Sequence, residues 1–391
     1  MVFNPSELII VEQRERILKE AQRYLAVKPV HITDVIAEQS PGGPHDYYSN
    51  GDYWWPNPHT PDQLPFVRRD GESNPANFHC HRKIMRKMRT GVATLAAAFY
   101  LTGNEIFAKP AFRWLREFFL DDATRMNPHL LYAQAIPGVA SGRGIGIIDT
   151  LHLIEVPMAL RVLQTSEYFD SDFHSRMQGW FADYLKWMTT HPYGLEEMNA
   201  ANNHAVAWFV QVAVFAQFTG RQVLVEFCRT MYKTGLLSKQ MALDGSFPQE
   251  LERTKPYSYS IFNLDCFAML CQVLSTATDD LWRYRLSDGR GIEKGFEFLY
   301  PYLVNKTQWQ FGNDVEHFEG WPVRIPGLLF AGGAFNRADY LNLWRKLPEP
   351  RDLEVRRNIA VRQPLLWFCP DLNNRQKTHK PGQILGVNGL L

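Results

Sequence analysis

Two short polar clusters interrupt an otherwise apolar middle of the chain. Asn202-Asn203-His204 opens the run AVAWFVQVAVFAQF, and LDGSFPQELERTKPYSYSIFNL carries Glu250, Arg253, Tyr257 and Tyr259. Amide and guanidinium groups can neutralise a carboxylate, and imidazole and phenol can move protons. Together they are what removal of a proton from the carbon beside a carboxylate requires. That chemistry points to elimination on a uronic acid.

Each cluster also has a plainer reading. Asn202 or Asn203 can cap the helix that follows, with His204 a satisfied buried histidine. Glu197 precedes His204 by seven residues and shares its face if the helix begins that early, so it can orient the imidazole. Asp244-Gly245 is a turn signal, and Glu250 and Arg253, three apart, can pair on one helical turn. Pro256 separates Arg253 from Tyr259. A guanidinium beside a phenol favours phenolate, which makes Tyr259 a candidate base near neutral pH. The alternative is a surface ion pair beside two core tyrosines.

The elements that must position these groups are mostly helical. A first helix is expected from a cap at Ser6 to about Val27. Residues 39–78 are rich in Gly, Pro, Asn and Asp and lack sustained periodicity, which reads as a long substrate-binding loop. Its His45, Tyr47, Tyr48, Tyr53, Trp54 and Trp55 argue against disorder. Residues 97–119 place two helices around a Thr102-Gly103 stop, and 214–235 repeat that layout around Thr219-Gly220. Further helices are expected near 148–164, 171–190, 258–278, 291–304 and 336–346. Repeated hairpins predict an all-α fold, an (α/α) toroid or barrel of about six or seven helical hairpins. One catalytic domain is expected over 1–391, with an irregular tail after about residue 370.

Bulk properties narrow the partners. A net charge of +1 over 391 residues gives no chain-wide field for nucleic acid or anionic membrane, so a polyanion must be held by a local basic groove. Cys80, Cys228, Cys266, Cys271 and Cys369 are odd in number and read as free thiols. The N-terminus threads charges through its apolar positions, unlike a signal peptide, and no run is long and apolar enough to span a bilayer. A cytoplasmic location is expected, or a secreted or periplasmic one if a leader has been trimmed. No metal cluster or other cofactor is expected.

Asn203-His204 followed by DGSFPQE, Arg253 and Tyr259 resembles the alginate-lyase domain superfamily. GGPHDYYSNGDYWWPNP (42–58) and AIPGVASGRGIGIIDT (135–150) are similar to polysaccharide lyase family 38, whose members degrade alginate or glucuronan. The motifs stand in family order across roughly residues 40 to 330. The resemblance implies an α/α toroid in which Asn203 and Arg253 neutralise the C5 carboxylate while His204 and Tyr259 handle protons. The Arg-to-Tyr spacing is one shorter than in the better-known alginate lyases. SYSIFNL favours Tyr259, and Tyr257 stays open.

An acidic polysaccharide also needs subsites. Trp54, Trp55, Tyr48 and His45 in the long loop, and Arg143 in SGRGIG, are candidates. HRKIMRKMR (81–89) is basic at helical spacing and reads as a solvated face, from which His81 and Arg82 can edge the groove. Asn313, Glu316 and His317 in GNDVEHFEGWP (312–322) either line a cleft or shape a turn. Two other function classes fit the sequence. A glycoside hydrolase on the same architecture would draw two carboxyl groups from Asp244, Glu250, Asp314 and Glu316. A non-catalytic glycan-binding protein would use the aromatic loop alone.

Overall fold

The computed structural model describes residues 4–369; the tail expected after residue 370 lies outside the described residues. Its helices are α1 (Pro5–Leu25), α2 (Cys80–Thr102), α3 (Glu105–Phe119), α4 (Glu155–Leu163), α5 (Ser171–Thr190), α6 (Pro192–Met198), α7 (Asn203–Phe218), α8 (Gln222–Met231), α9 (Leu237–Gln240), α10 (Pro248–Leu251), α11 (Pro256–Leu274), α12 (Ile292–Val304), α13 (Pro326–Ala334), α14 (Ala338–Lys346) and α15 (Leu353–Arg357). No helix among the described residues is long and apolar enough to cross a membrane.

Helices buried on nearly every side must sit inside, and α7 and α11 are of that kind. They form part of a closed ring in which α2 packs on α4, α4 on α7, α7 on α11, α11 on α13, α13 on α1 and α1 on α2. An outer layer covers it: α3 lies on α2, α5 and α8 on α7, α12 on α11 and α14 on α13. This is the all-α toroid that the repeated hairpins predict. The two Gly stops are left-handed helix ends, Gly103 at φ 65° and Gly220 at φ 69°, a conformation that favours glycine.

Several local expectations are corrected. Asn4, not Ser6, caps α1, accepting the Ser6 N–H at 3.1 Å. The helix expected over 148–164 begins as 3-10 turns at Gly144 and becomes α-helical only at Glu155. Nothing in the sequence reading anticipates α13, because PGLLFAGGA is buried almost all round and carries no amphipathic period. The basic run 81–89 is a solvated face only in part: Lys83 and Lys87 are exposed, but the arginines are not. Arg82 and Arg89 are each 2% exposed, turned inward at helical spacing on α2. Arg89 donates to Glu155 at 2.6 Å and to His152 Nδ1 at 2.7 Å. Burial and the neighbouring Arg89 hold His152 well below the usual histidine range.

The long loop carries three short strands: β1 (Tyr48–Asn50), β2 (Trp54–Trp55) and β3 (Val67–Arg68). β2 and β3 pair antiparallel, and β1 runs parallel to β4 (Tyr132–Ala135), with Tyr48 opposite Tyr132. Asp149 ties this layer to the ring by accepting from Tyr47 Oη (3.1 Å), Ser49 Oγ (2.7 Å) and Arg82 Nη2 (3.1 Å).

One core group couples stability to pH. Asp265 on α11 is buried, accepts the Gly327 N–H at 2.7 Å and leaves its second oxygen without a partner. Burial raises its carboxyl from 3.8 to about 7. Between those values the unfolded chain has released this proton while the folded chain keeps it, so this group makes stability fall as pH rises across that window. Asp265→Asn is expected to remove that fall, leaving a smaller difference between denaturant melts at pH 4.5 and 7.5. An unchanged difference would discount the group.

Candidate active site

The ring opens into a cleft of about 510 Å³ whose lining includes Asn203, His204, Arg253 and Tyr259. All four come from the beginnings of inner-ring helices or the turn leading into one. Asn202 caps α7 by accepting the His204 N–H at 3.3 Å, which leaves Asn203 and His204 in the first turn, where they line the cleft. The α10 turn carries Arg253 just past its end, and Pro256 restarts the chain as α11 with Tyr259 in its first turn.

Each of these side chains has its own holder. Glu250 is fully buried and takes the Asn203 backbone N–H on one oxygen and Asn203 Nδ2 on the other, both at 2.7 Å. Glu250 therefore pairs with Asn203, not with Arg253 as its spacing allowed. Arg253 is held by Asp70 from the long loop, at 3.2 Å and 3.4 Å. Burial pushes the Asp70 carboxyl up, but hydrogen bonds from Arg68 and Arg253 hold it down to about 2.

Glu197 reaches His204 Nδ1 at 2.6 Å, although the two stand on separate helices, α6 and α7, with a turn between. This leaves Nε2 as the ring nitrogen free for the cleft. Burial pulls the imidazole down, and the Glu197 carboxylate more than reverses that, so His204 lies above its usual value.

Tyr259 differs from expectation. Its hydroxyl is 2.5 Å from that of Tyr53, and the Arg253 guanidinium lies 4.6 Å from its ring centroid. Burial and Tyr53 raise the phenol well above 10, outweighing the lowering by Arg253 and Arg357. In the free protein Tyr259 is therefore neutral at physiological pH, not a ready phenolate.

The cleft wall is basic. Arg68, Arg82, Arg86, Arg143, Arg253 and Arg357 line it against two aspartates, Asp52 and Asp149. This is the local basic groove that a chain of net charge +1 needs to hold a polyanion. Burial and neighbouring arginines pull Arg86 and Arg143 down to about 10, still charged at neutral pH. Arg143 is fixed by the Gln134 carbonyl at 2.9 Å and lies 5.7 Å from the Trp54 ring centroid.

Of the subsite candidates, Trp54, Arg82 and Arg143 line the cleft, and Glu197 stands behind it. The others lie elsewhere. His45 Nδ1 meets the Arg125 carbonyl at 2.7 Å. The Tyr48 ring is buried, and its hydroxyl accepts from Asn50 at 3.0 Å. Trp55 donates to the Glu72 carbonyl at 3.0 Å under the Arg69 guanidinium. His81 accepts the Tyr48 N–H at Nδ1 and donates from Nε2 to the Val35 carbonyl, so both nitrogens are spent. Tyr257 is buried and donates to the Tyr302 carbonyl at 2.9 Å. Sequence reasoning gave no role to Tyr53, Asp70, Arg86, Gln134 or Arg357; the inward i, i+4, i+7 spacing of Arg82, Arg86 and Arg89 was the one available signal.

A family model described as Alginate lyase matches residues 32–309. The chain belongs to the alginate lyase family. An alginate lyase from Bacteroides ovatus is similar to this family member at 31% identity and a TM-score of 0.79, over 91% of this chain and 97% of its own. Alginate lyase A1-III from Sphingomonas species A1 shares the fold at 14% identity and a TM-score of 0.57, over 90% of this chain and 95% of its own. An A1-III variant complexed with tetrasaccharide is similar at 16% identity and a TM-score of 0.58, over 94% and 97% of the two chains. No curated protein matches. Membership makes this alginate lyase family protein a polysaccharide lyase.

Proposed function

We propose that this lyase cleaves mannuronate-rich alginate by metal-independent β-elimination, with glucuronan as the second candidate polymer. Convergence of Asn203, His204, Arg253 and Tyr259 in one arginine-lined cleft carries the reading. The 31%-identical Bacteroides ovatus alginate lyase supports alginate as the polymer. Assignment to family 38 rests on the loop and 135–150 similarities and is part of the same proposal.

The C5 proton of a uronate is a poor acid, because the adjacent carboxylate is already negative. Asn203 and Arg253 bind that carboxylate and spread the second charge that develops as the proton leaves. In mannuronate and glucuronate, H5 and O4 lie on the same side of the ring. Tyr259 then takes H5 as phenolate and returns the proton to O4 as the bond breaks, leaving a C4–C5 double bond. In guluronate the two lie on opposite sides, and His204 is placed to act as base. The carboxyl groups that a hydrolase would use are engaged elsewhere. Glu250 holds Asn203, Asp314 accepts the Tyr257 N–H at 2.9 Å, Asp244 closes its turn on Ser246, and Glu316 pairs with Lys255.

Incubation with polymannuronate, polyguluronate and glucuronan, followed by ultraviolet absorbance of the unsaturated ends, tests this. A rise on polymannuronate is expected. New reducing ends without absorbance would overturn elimination, and a rise on glucuronan alone would reassign the polymer. Because the free Tyr259 phenol lies well above 10, kcat/KM is expected to climb with pH beyond neutrality. A plateau already reached near pH 7 would move the base role to His204.

A further inference from the structure

A phenol that starts neutral must lose its proton before it can take H5, and it must do so while polymer fills the cleft. Tyr53 and Tyr259 form a wall between the main cleft and a second, smaller cavity, since both tyrosines line both spaces. The small cavity measures about 20 Å³, room for one water. Its far side includes Glu316, His317 and Trp321 of the 312–322 segment, whose role the sequence left open, together with Glu354 and Val355. Lys255 Nζ lies 5.4 Å from the Tyr53 ring centroid and 3.3 Å from Glu316 Oε2. Glu316 also accepts the Ser73 N–H at 3.1 Å. His317 Nε2 is 3.9 Å from Glu316, and His317 Nδ1 is 2.8 Å from Asp352. The His317 and Glu316 side chains are 32% and 29% exposed, so the line ends at solvent. His317 is held at φ 61°, a left-handed backbone that is uncommon for a non-glycine residue.

Resting on the assignment of Tyr259 as the proton-handling residue, we propose that this back cavity is the proton exit of the active site. Tyr259 gives its hydroxyl proton to Tyr53 as Tyr53 releases its own to a water in the cavity. That water passes the proton to Glu316 and His317, and from there to solvent. Tyr259 is left as phenolate facing Arg253 and Arg357, and no electron pair leaves the chain. H5 then moves to Tyr259 and on to O4, which restores the phenolate. After product release the phenolate takes a proton back by the same path. The charged and titratable groups around the cavity are Lys255, Glu316, His317, Glu354 and Arg357, with Asp352 behind His317.

Glu316→Gln keeps an acceptor for the Ser73 N–H and cannot carry the proton. Its kcat on polymannuronate in dilute buffer is expected to fall on the order of tenfold, with KM unchanged and a larger solvent deuterium isotope effect on kcat. Added imidazole should restore the rate. His317→Asn, which tolerates the left-handed backbone, provides the same reading if the first variant folds poorly. Wild-type kcat and isotope effect in both variants would overturn the exit, as would a loss that imidazole does not restore. Failure of the elimination reading shows separately, in the wild-type enzyme: no unsaturated ends would form, and the exit would fall with it.

Discussion

Tyr259→Phe is expected to lower kcat on polymannuronate by about 10³- to 10⁴-fold, toward the upper end of what one acid–base group contributes. KM should stay within a few-fold, because the ring that lies 4.6 Å from the Arg253 guanidinium remains and only the hydroxyl is lost. That hydroxyl both removes H5 and protonates O4 in the proposed sequence, so one deletion disables two steps. A loss confined to kcat and kcat/KM marks an interaction made in the transition state. Tyr257→Phe is the control. Its hydroxyl donates to the Tyr302 carbonyl at 2.9 Å in the core, so stability should fall by about 1 kcal/mol with kcat unchanged. The opposite pattern, with Tyr257→Phe inactive and Tyr259→Phe active, would reverse the assignment of the two tyrosines. Tyr53→Phe falls between them: it removes the 2.5 Å partner of Tyr259 and leaves the reacting hydroxyl in place.

The residues that were legible in the sequence are those whose neighbours in space are also neighbours in the chain. Asn203 and His204 are adjacent, and Glu197 stands one helix turn beyond a short break. Arg253 and Tyr259 flank a proline that turns the chain by its own geometry. Their holders were hidden because long-range packing brings them in. Asp70 reaches Arg253 from 183 residues away, and Tyr53 reaches Tyr259 from 206. No local period records such a meeting. Arg357 was hidden for a different reason. It follows a stretch of weak pattern near the end of the described chain, yet it forms a 3.2 Å ion pair with Asp52 in the long loop. The basic run 81–89 misled because spacing tells which residues share a face but not whether that face looks outward. The fold was more legible than the site because Gly103, Gly220 and the apolar runs of α7 and α11 act locally. The toroid needs only that such hairpins stack and close.

Asn203→Ala is expected to cost about 10² to 10³ in kcat, the loss typical of removing one donor from a site where negative charge develops. Glu250 is what holds this amide in place. Both of its oxygens are occupied by Asn203, one by the backbone N–H and one by the side-chain amide. This fixes the amide rotamer and leaves its second N–H for the substrate carboxylate. The carboxylate of Glu250 is fully buried, and burial raises its pKa above the usual range despite the two hydrogen bonds. Removing the amide leaves one buried oxygen unpartnered, which costs about 1–3 kcal/mol of stability. Glu250→Gln attacks the same unit from the other side. A glutamine offers one acceptor where two donors wait, so its NH₂ must face an N–H and the Asn203 amide loses its fixed orientation. The two changes act through one amide and should therefore be strongly non-additive. The double variant is expected to lose little more activity than Asn203→Ala alone. Full additivity of the two losses in kcat would mean that Glu250 acts on the reaction by a path other than Asn203. The remaining path on the structure is electrostatic, through His204 and Arg253, both of which feel its charge. A pH profile of Glu250→Gln separates the two paths. A carboxylate that acts only by holding the amide leaves the profile where it was, whereas one that acts by its charge shifts the His204 limb to lower pH when it is neutralised.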